Sequence, residues 1–586
     1  MMRPRRRRAL VASIAISTTA AFLGLATAAD PPADLVLTGG RIWTADAAKP
    51  WAEAVAIRDG RIAFVGDAAG AMALKGPGTR VAALGGRPVL PGFNDAHVHL
   101  VSGALSLERV DLIEDGSVDA VQRRIRAFAA ANPKAPWVLG RGWLYGSFPG
   151  GLPTKEQLDA AVPDRPAYMD CYDGHSGWAN SKALALAGIT RDTPDPLNGA
   201  IVRDAAGEPT GALKESATAL VESKVPQPDD ERRYALLLQA LRLLNSQGIT
   251  SIQDAGYPPS DLKATVALLE RAKREGKLSV RITASVQMGQ DNFALAVAEA
   301  QRLAAVHHDA LLRFGPVKGY VDGVIEAHTA AMLEPWSDDP SLGRGKPNWD
   351  PAALNEAVAA AGRAGLQVYL HAIGDRGVRM ALDAHEFARK ADGRTDARGR
   401  IEHIETISPA DYPRFRALGV IASMQPLHAN PDQNNTNVWA RNAGPERASR
   451  GFGWGNVERA GARLVFGSDW PVVTSDVRRG LYCAVARKTR DGLPKGGWLP
   501  EQAVSLENAL RHYTADAAYA SFEEADKGSI AVGKRADLVV VGTDWFKSAP
   551  EAILGTPILL TLLDGRVVHR DPSFATGLEG GAPAAR

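Results

Sequence analysis

Two histidines one residue apart, His97 and His99 in Pro91-Gly-Phe-Asn-Asp-Ala-His-Val-His-Leu100, have the types and spacing to do chemistry. In an extended strand, residues i and i+2 point to the same side, so both imidazoles can face one metal ion. The competing reading is a pair of histidines hydrogen-bonded at a strand end. Further polar residues stand at the ends of later apolar runs. Lys318 lies in Phe314-Gly-Pro-Val-Lys-Gly-Tyr-Val-Asp-Gly323, His371 in Gln367-Val-Tyr-Leu-His-Ala-Ile-Gly-Asp375, and His403 in Arg400-Ile-Glu-His-Ile-Glu405. Asp469 closes Arg463-Leu-Val-Phe-Gly-Ser-Asp-Trp-Pro471. Singly, each reads as a satisfied core or loop residue; together they supply the imidazole and carboxylate donors that a zinc-class ion takes.

The runs that carry these residues read as strands. Strand candidates begin at Pro88, Thr250, Val280, Phe314, Gln367, Arg400, Val420 and Leu464, with helical patterns at Asp230–Ser246, Leu262–Glu275, Asn292–Ala305 and Pro351–Ala364 between several of them. Repeated βα units predict an α/β fold, a (β/α)8 barrel, with the polar candidates at the strand ends where such barrels keep their catalytic groups. The stretch from about 102 to 247 is too long for one crossover and predicts an inserted α/β lid over the mouth. Leu35–Trp43 and Ala54–Val65 near the start, and Ala536–Val541 and Leu559–Val568 near the end, read as further strands, with turns at Asp59-Gly60 and Asp564-Gly565.

The ordered set His97, His99, Lys318, His371, His403 and Asp469 resembles the metal-site pattern of the amidohydrolase superfamily. The phrases PGFNDAHVH, DGHSGWANSKAL, YVDGVIE, HAIGDRG, RIEHIE and FGSDWPV are similar, more narrowly, to amidohydrolase family 3. The resemblance runs from about Ala33 to about Arg570. It implies a β-sandwich built from both termini (29–90 and 516–586) around a hydrolase barrel (91–515). It also implies a divalent metal, one or two zinc ions, with His97, His99 and Asp469 on one ion and His371 and His403 on the other. Lys318 would bridge them as a CO2-derived carbamate. An ammonium repels a cation and has no lone pair, so the lysine can serve only in that form; otherwise it binds a substrate carboxylate or pairs with Asp322.

In the same family reading, Asp469 takes a proton from the attacking water and passes it to the leaving nitrogen. His175, in Asp173-Gly-His-Ser-Gly-Trp-Ala-Asn180, resembles a substrate-contacting histidine, and either it or Asp322 could orient the substrate. Trp143, Tyr145 and Trp178 read as ordinary packing. The expected reaction is metal-dependent hydrolysis of a non-peptide amide-type C–N bond, linear or cyclic, such as an N-formyl or N-acyl amine, in a small molecule. A mononuclear deaminase of the same superfamily would spare Lys318, and an exported metal- or ligand-binding protein would keep the site without turnover.

Residues 1–28 carry a cluster of arginines, an apolar stretch and Ala26-Thr-Ala28, the parts of a secretory signal. They predict export to the periplasm or medium by the Sec or the twin-arginine route. Removing them takes away five arginines and no acid, moving the formal charge from +2 to −3. No basic stripe is left to suggest nucleic acid, and no stable membrane span is expected after removal. Cys171 and Cys483 either pair or stay free, and are too few for a disulfide scaffold. A monomer and a homodimer are both compatible with the chain.

Overall fold

A computed structural model describes residues 31–575; the signal expected at 1–28 and the end of the C-terminal tail lie outside the described residues. Eight parallel strands form the centre: β1 (Phe93–Val98), β2 (Ile249–Tyr257), β3 (Arg281–Met288), β4 (Leu312–Tyr320), β5 (Val368–Ala372), β6 (Arg400–His403), β7 (Ile421–Met424) and β8 (Leu464–Phe466). Each is hydrogen-bonded to the next in chain order, and a parallel bridge from Val98 to Trp470 brings the chain after β8 back to β1. β1 and β5 to β8 are buried along their whole length, because helices cover one face and inward side chains fill the other.

The helices begin and end on local signals. Asp229 caps Asp230–Ser246 by accepting from the Arg232 amide at 2.8 Å. Asp375–Asp392 stops at Gly393, whose φ of 70° is the left-handed terminator. Helices Pro259–Arg274, Phe293–Val306 and Pro351–Arg363 fall where the sequence pattern puts them.

The first strand differs from expectation. Pro88–Pro91 belongs to the sandwich, pairing antiparallel with Leu538–Val541 and parallel with Arg41–Trp43, and the barrel strand starts only at Phe93. Gly92 makes the switch. Its amide donates to the Asp537 carbonyl at 2.8 Å, and a Cβ there would lie 2.2 Å from Thr250 Oγ1, so a larger residue would push β1 off β2. The sandwich comprises a four-stranded sheet within 33–83 and a six-stranded sheet that mixes N- and C-terminal strands. Leu35, Leu37, Ile57, Val89, Leu538 and Leu560 form its core. Buried Arg281 of β3 ties it to the barrel through Asp537 (2.7 and 2.8 Å) and Asp564 (2.6 Å).

The insertion is a six-stranded sheet running from Val110 to Glu215. It is shorter than the interval 102–247, because Asp230–Ser246 packs on Leu100–Ser106 as part of the barrel wall. Trp143 and Trp178 are fully buried in the lid core, their indole N–H groups on the Met169 and Thr154 carbonyls. Cys171 and Cys483 are both buried free thiols. Among the described residues no helix is long and apolar enough to cross a membrane.

Candidate metal centre and active site

His97 sits near the end of β1 with no exposed surface. Its Nδ1 is 2.6 Å from Glu402 Oε2, and Glu402 is clasped in turn by Arg400 at 2.9 and 3.2 Å. Arg400 also donates to the Ala96 carbonyl (2.6 Å) and Ser423 Oγ (2.9 Å), joining β1, β6 and β7. Burial would raise the Glu402 carboxyl, but Arg400 and His97 hold it at about 2. Burial, with the Lys318 cation second, lowers His97 to about 4. The imidazole is therefore neutral, pinned at Nδ1 by a carboxylate and free to offer its Nε2 lone pair.

Asp469, just past β8, completes the convergence. Its Oδ1 lies 3.4 Å from His97 Nε2 and 3.3 Å from His99 Nε2, and its Oδ2 3.9 Å from His403 Nδ1. Its backbone is left-handed (φ 62°), held by the hydrogen bond that its N–H donates to the His97 carbonyl at 2.7 Å. Oδ1 is buried with no hydrogen-bond partner. Ligand atoms of His97, His403 and Asp469 all lie within 4.8 Å of one another. A buried carboxylate oxygen lacking a donor, beside the His97 and His403 imidazoles that burial keeps neutral, fits a divalent cation.

The other candidates border this cluster. His371, at the end of β5, has its ring 4.6 Å from that of His403. His403 Nδ1 meets Gln425 Oε1 at 2.9 Å, and His403 and Ile404 are consecutive left-handed residues (φ 75° and 53°). Such backbone costs about 1–3 kcal/mol per residue and persists only where its surroundings impose it. Lys318 of β4 is fully buried, with Nζ 3.5 Å from His97 Nε2 and 4.7 Å from the Tyr320 ring centre. Burial lowers it to about 8, against the pull of Glu402 and Asp469, which enlarges the fraction of free amine. His175 faces the cluster from the lid. Its Nδ1 is 3.0 Å from Glu215, and although burial lowers its pKa, Glu215 and Asp173 together raise it to about 8.

Asp322 is placed differently from the substrate-orienting role considered above. It is fully buried and is not part of the cavity wall. Its carboxylate accepts the Ile373, Ala331 and Gly374 amides at 2.9–3.0 Å and lies 3.5 Å from His371 Nδ1. It stands behind His371, and its oxygens are taken up by backbone rather than by Lys318.

A cavity of about 180 Å3 opens onto His99, His175, Lys318, His371, His403 and Asp469. It is also lined by Tyr172, Asp173, Glu326, Glu405 and His428, none of which was proposed as a site residue from sequence. His428 stacks parallel on His403 at 5.8 Å, with Nε2 3.6 Å from Asp469 Oδ2. The rule that found the other histidines, a polar residue soon after an apolar run, also finds His428 beyond β7. Glu405 follows His403 at i+2. Glu326 ends the phrase YVDGVIE, but it lies in an irregular stretch after β4 where no strand periodicity says which way it points.

Comparison with known proteins identifies the family. The chain is 32% identical over 550 residues to Protein LONG AFTER FAR-RED 3 of Arabidopsis thaliana, covering 92% of each. It is 29% identical over 544 residues to N-substituted formamide deformylase of Arthrobacter pascens, covering 91% of this chain and 97% of the relative. The crystal structure of an uncharacterized metal-dependent hydrolase from Pyrococcus horikoshii OT3 superposes with a TM-score of 0.68 at 26% identity, covering 88% of this chain and 99% of that one. The amidohydrolase family profile matches residues 80–569, and the chain thus belongs to amidohydrolase family 3, as a hydrolase acting on carbon–nitrogen bonds.

Proposed function

We propose that the protein hydrolyses the amide-type C–N bond of a small molecule, an N-formyl or N-acyl amine, at a divalent-metal centre held by His97, His99, His371, His403 and Asp469. The observation that carries this reading is Asp469 Oδ1, buried and without a hydrogen-bond donor at the meeting point of His97 and His99. The full-length similarity to a formamide deformylase supports the bond type. A zinc-class ion supplies Lewis acidity, polarising a carbonyl and acidifying water.

The chain's own residues supply the rest. Asp469 takes the proton of the attacking water and delivers it to the leaving nitrogen. Glu402 keeps His97 in one tautomer, and Asp322 steadies His371. His175, held by Glu215, presents its ring to the chamber from the lid and orients the carbonyl. Lys318 as a carbamate would set anionic oxygens between the two histidine groups. With residues 1–28 removed on export, the reaction would take place outside the cytoplasm.

The test is metal content and hydrolysis of N-formyl and N-acetyl amines by wild type and Lys318→Ala, with bicarbonate present. About two metals per wild-type chain, falling in the variant together with activity, is the expected result. At most one metal in both, with K318A still active, would overturn the carbamate and favour a mononuclear site.

A further inference from the structure

The chamber is also lined by acids that have no lysine or arginine partner, the nearby cation being His175, which Glu215 and Asp173 hold at about 8 against the effect of burial. Glu326 Oε1 accepts from the Tyr172 hydroxyl and, at 3.2 Å, from Asn434 Nδ2. Glu405 Oε2 accepts from Trp439 Nε1 at 2.7 Å, and its Oε1 is 4.0 Å from His428 Nδ1. Asp173 Oδ1 accepts the His175 amide, while its Oδ2 is buried without a partner. Among the described residues neither Glu326 nor Glu405 has a lysine or arginine partner.

A second, independent observation is Asn434. It is only 3% exposed, yet its Oδ1 has no hydrogen-bond partner. Its orientation is set by chemistry, because a flipped amide would turn its oxygen onto the Glu326 carboxylate and lose the bonds from Nδ2 to Glu326 and to the Tyr172 hydroxyl. A free acceptor is thus presented beside the acids. Asn434, Glu326 and Glu405 also line a roomier cavity of about 670 Å3, which shares Tyr172 and His428 with the smaller chamber. The acids therefore stand between the metal centre and the larger space. The arginines on the far side of that space, Arg479 and Arg490, are both engaged by Glu114 at 2.7 and 3.0 Å.

We propose that this wall binds a protonated primary amine of the substrate, so that the substrate is a mono-acylated diamine. One nitrogen lies in the amide at the metal centre, and the other is an ammonium on Glu326, Glu405 and Asn434 Oδ1. An ammonium has three N–H donors and no acceptor, matching three acceptors that have no lysine or arginine partner. Burial first, and Asp173 further, push Glu326 up to about 7, as befits a carboxylate without its counter-ion. The overall reaction adds water across the C–N bond and releases a carboxylic acid and a diamine. This inference rests on the hydrolase reading above.

The experiment compares N-(5-aminopentyl)formamide with N-hexylformamide, equal in length and differing in the terminal charge. Wild type is expected to show kcat/KM at least about tenfold higher for the amine, and Glu326→Gln to collapse that ratio. Asn434→Leu lowers the ratio by a second route should E326Q fail to fold. Equal rates, or preference for the neutral compound, would overturn the subsite while leaving the hydrolase reading in place. Calorimetric titration of metal-loaded wild type with pentylamine and with its neutral counterpart pentan-1-ol separates the two failures. If neither formamide is hydrolysed but the amine binds about tenfold tighter than the alcohol, the subsite stands and the formamide reading falls. Equal binding overturns the subsite.

Discussion

The two walls of the active chamber are built on opposite plans. On the metal-facing wall most imidazoles have a polar atom behind them: Glu402 behind His97, Gln425 behind His403 and Asp322 behind His371. The carboxylates behind these imidazoles are themselves saturated, Glu402 by Arg400 and Asp322 by backbone amides, and only the ligand Asp469 keeps an open oxygen. On the facing wall, Glu326, Glu405 and Asp173 meet tyrosine, tryptophan, asparagine and backbone, and buried oxygens are left over. A saturated shell fixes ligand geometry before any ligand arrives, whereas an unsaturated one costs stability until something fills it. The first arrangement suits chemistry common to a family, and the second suits the choice of substrate.

Breaking the metal-facing wall should have the largest effect. Asp469→Asn is expected to lower kcat by about a thousandfold or more, because it removes both an anionic ligand and the proton carrier. A variant within tenfold of wild type would remove Asp469 from proton transfer. Glu402→Gln should act less severely and mainly on metal retention, weakening affinity about 10–100-fold in chelator competition, since second-layer partners act through the ligand they orient. Unchanged metal affinity would make the Glu402–Arg400 pair a packing feature only.

The facing wall should respond with the opposite sign. Glu326 has its pKa raised on folding from 4.5 to about 7, so the folded state resists losing this proton. The resulting penalty is absent below pH 4.5, grows as pH rises towards 7 and is complete above it. Glu326→Gln should therefore stabilise the ligand-free protein in denaturant melts by about 1 kcal/mol above pH 7 and have little effect near pH 4. A variant less stable than wild type at pH 8 would show that this wall is also saturated, by contacts other than those seen.

How much of this was legible in the sequence follows the same division. Ligand candidates on β1, β4, β5 and β6 could be read because each closes an apolar run, and strand periodicity says which way it points. The barrel order followed from the same runs. Glu402 was visible beside His403, but its service to His97, 305 positions away, depends on β6 lying across the barrel from β1. Glu326 and Asn434 come from irregular segments and are brought together only by the fold. Pro88–Phe93 misled because an apolar run broken by one glycine reads as one strand, whereas Gly92 marks a change of sheet. Asp322 misled because a carboxylate near a catalytic strand looks the same in sequence whether it faces substrate or backbone.

That change of sheet bears on the order of synthesis. The strand Pro88–Pro91, one residue short of β1, finds its antiparallel neighbour only in Leu538–Val541, which leaves the ribosome some 450 residues later. Until then the N-terminal half of the sandwich presents an open edge, and the strand that bears His97 and leads to His99 is unclamped at its base. The whole hydrolase barrel is thus made in the interval between two halves of one small sheet, and a chain cut short before residue 538 would lack the brace on which His97 and His99 hang.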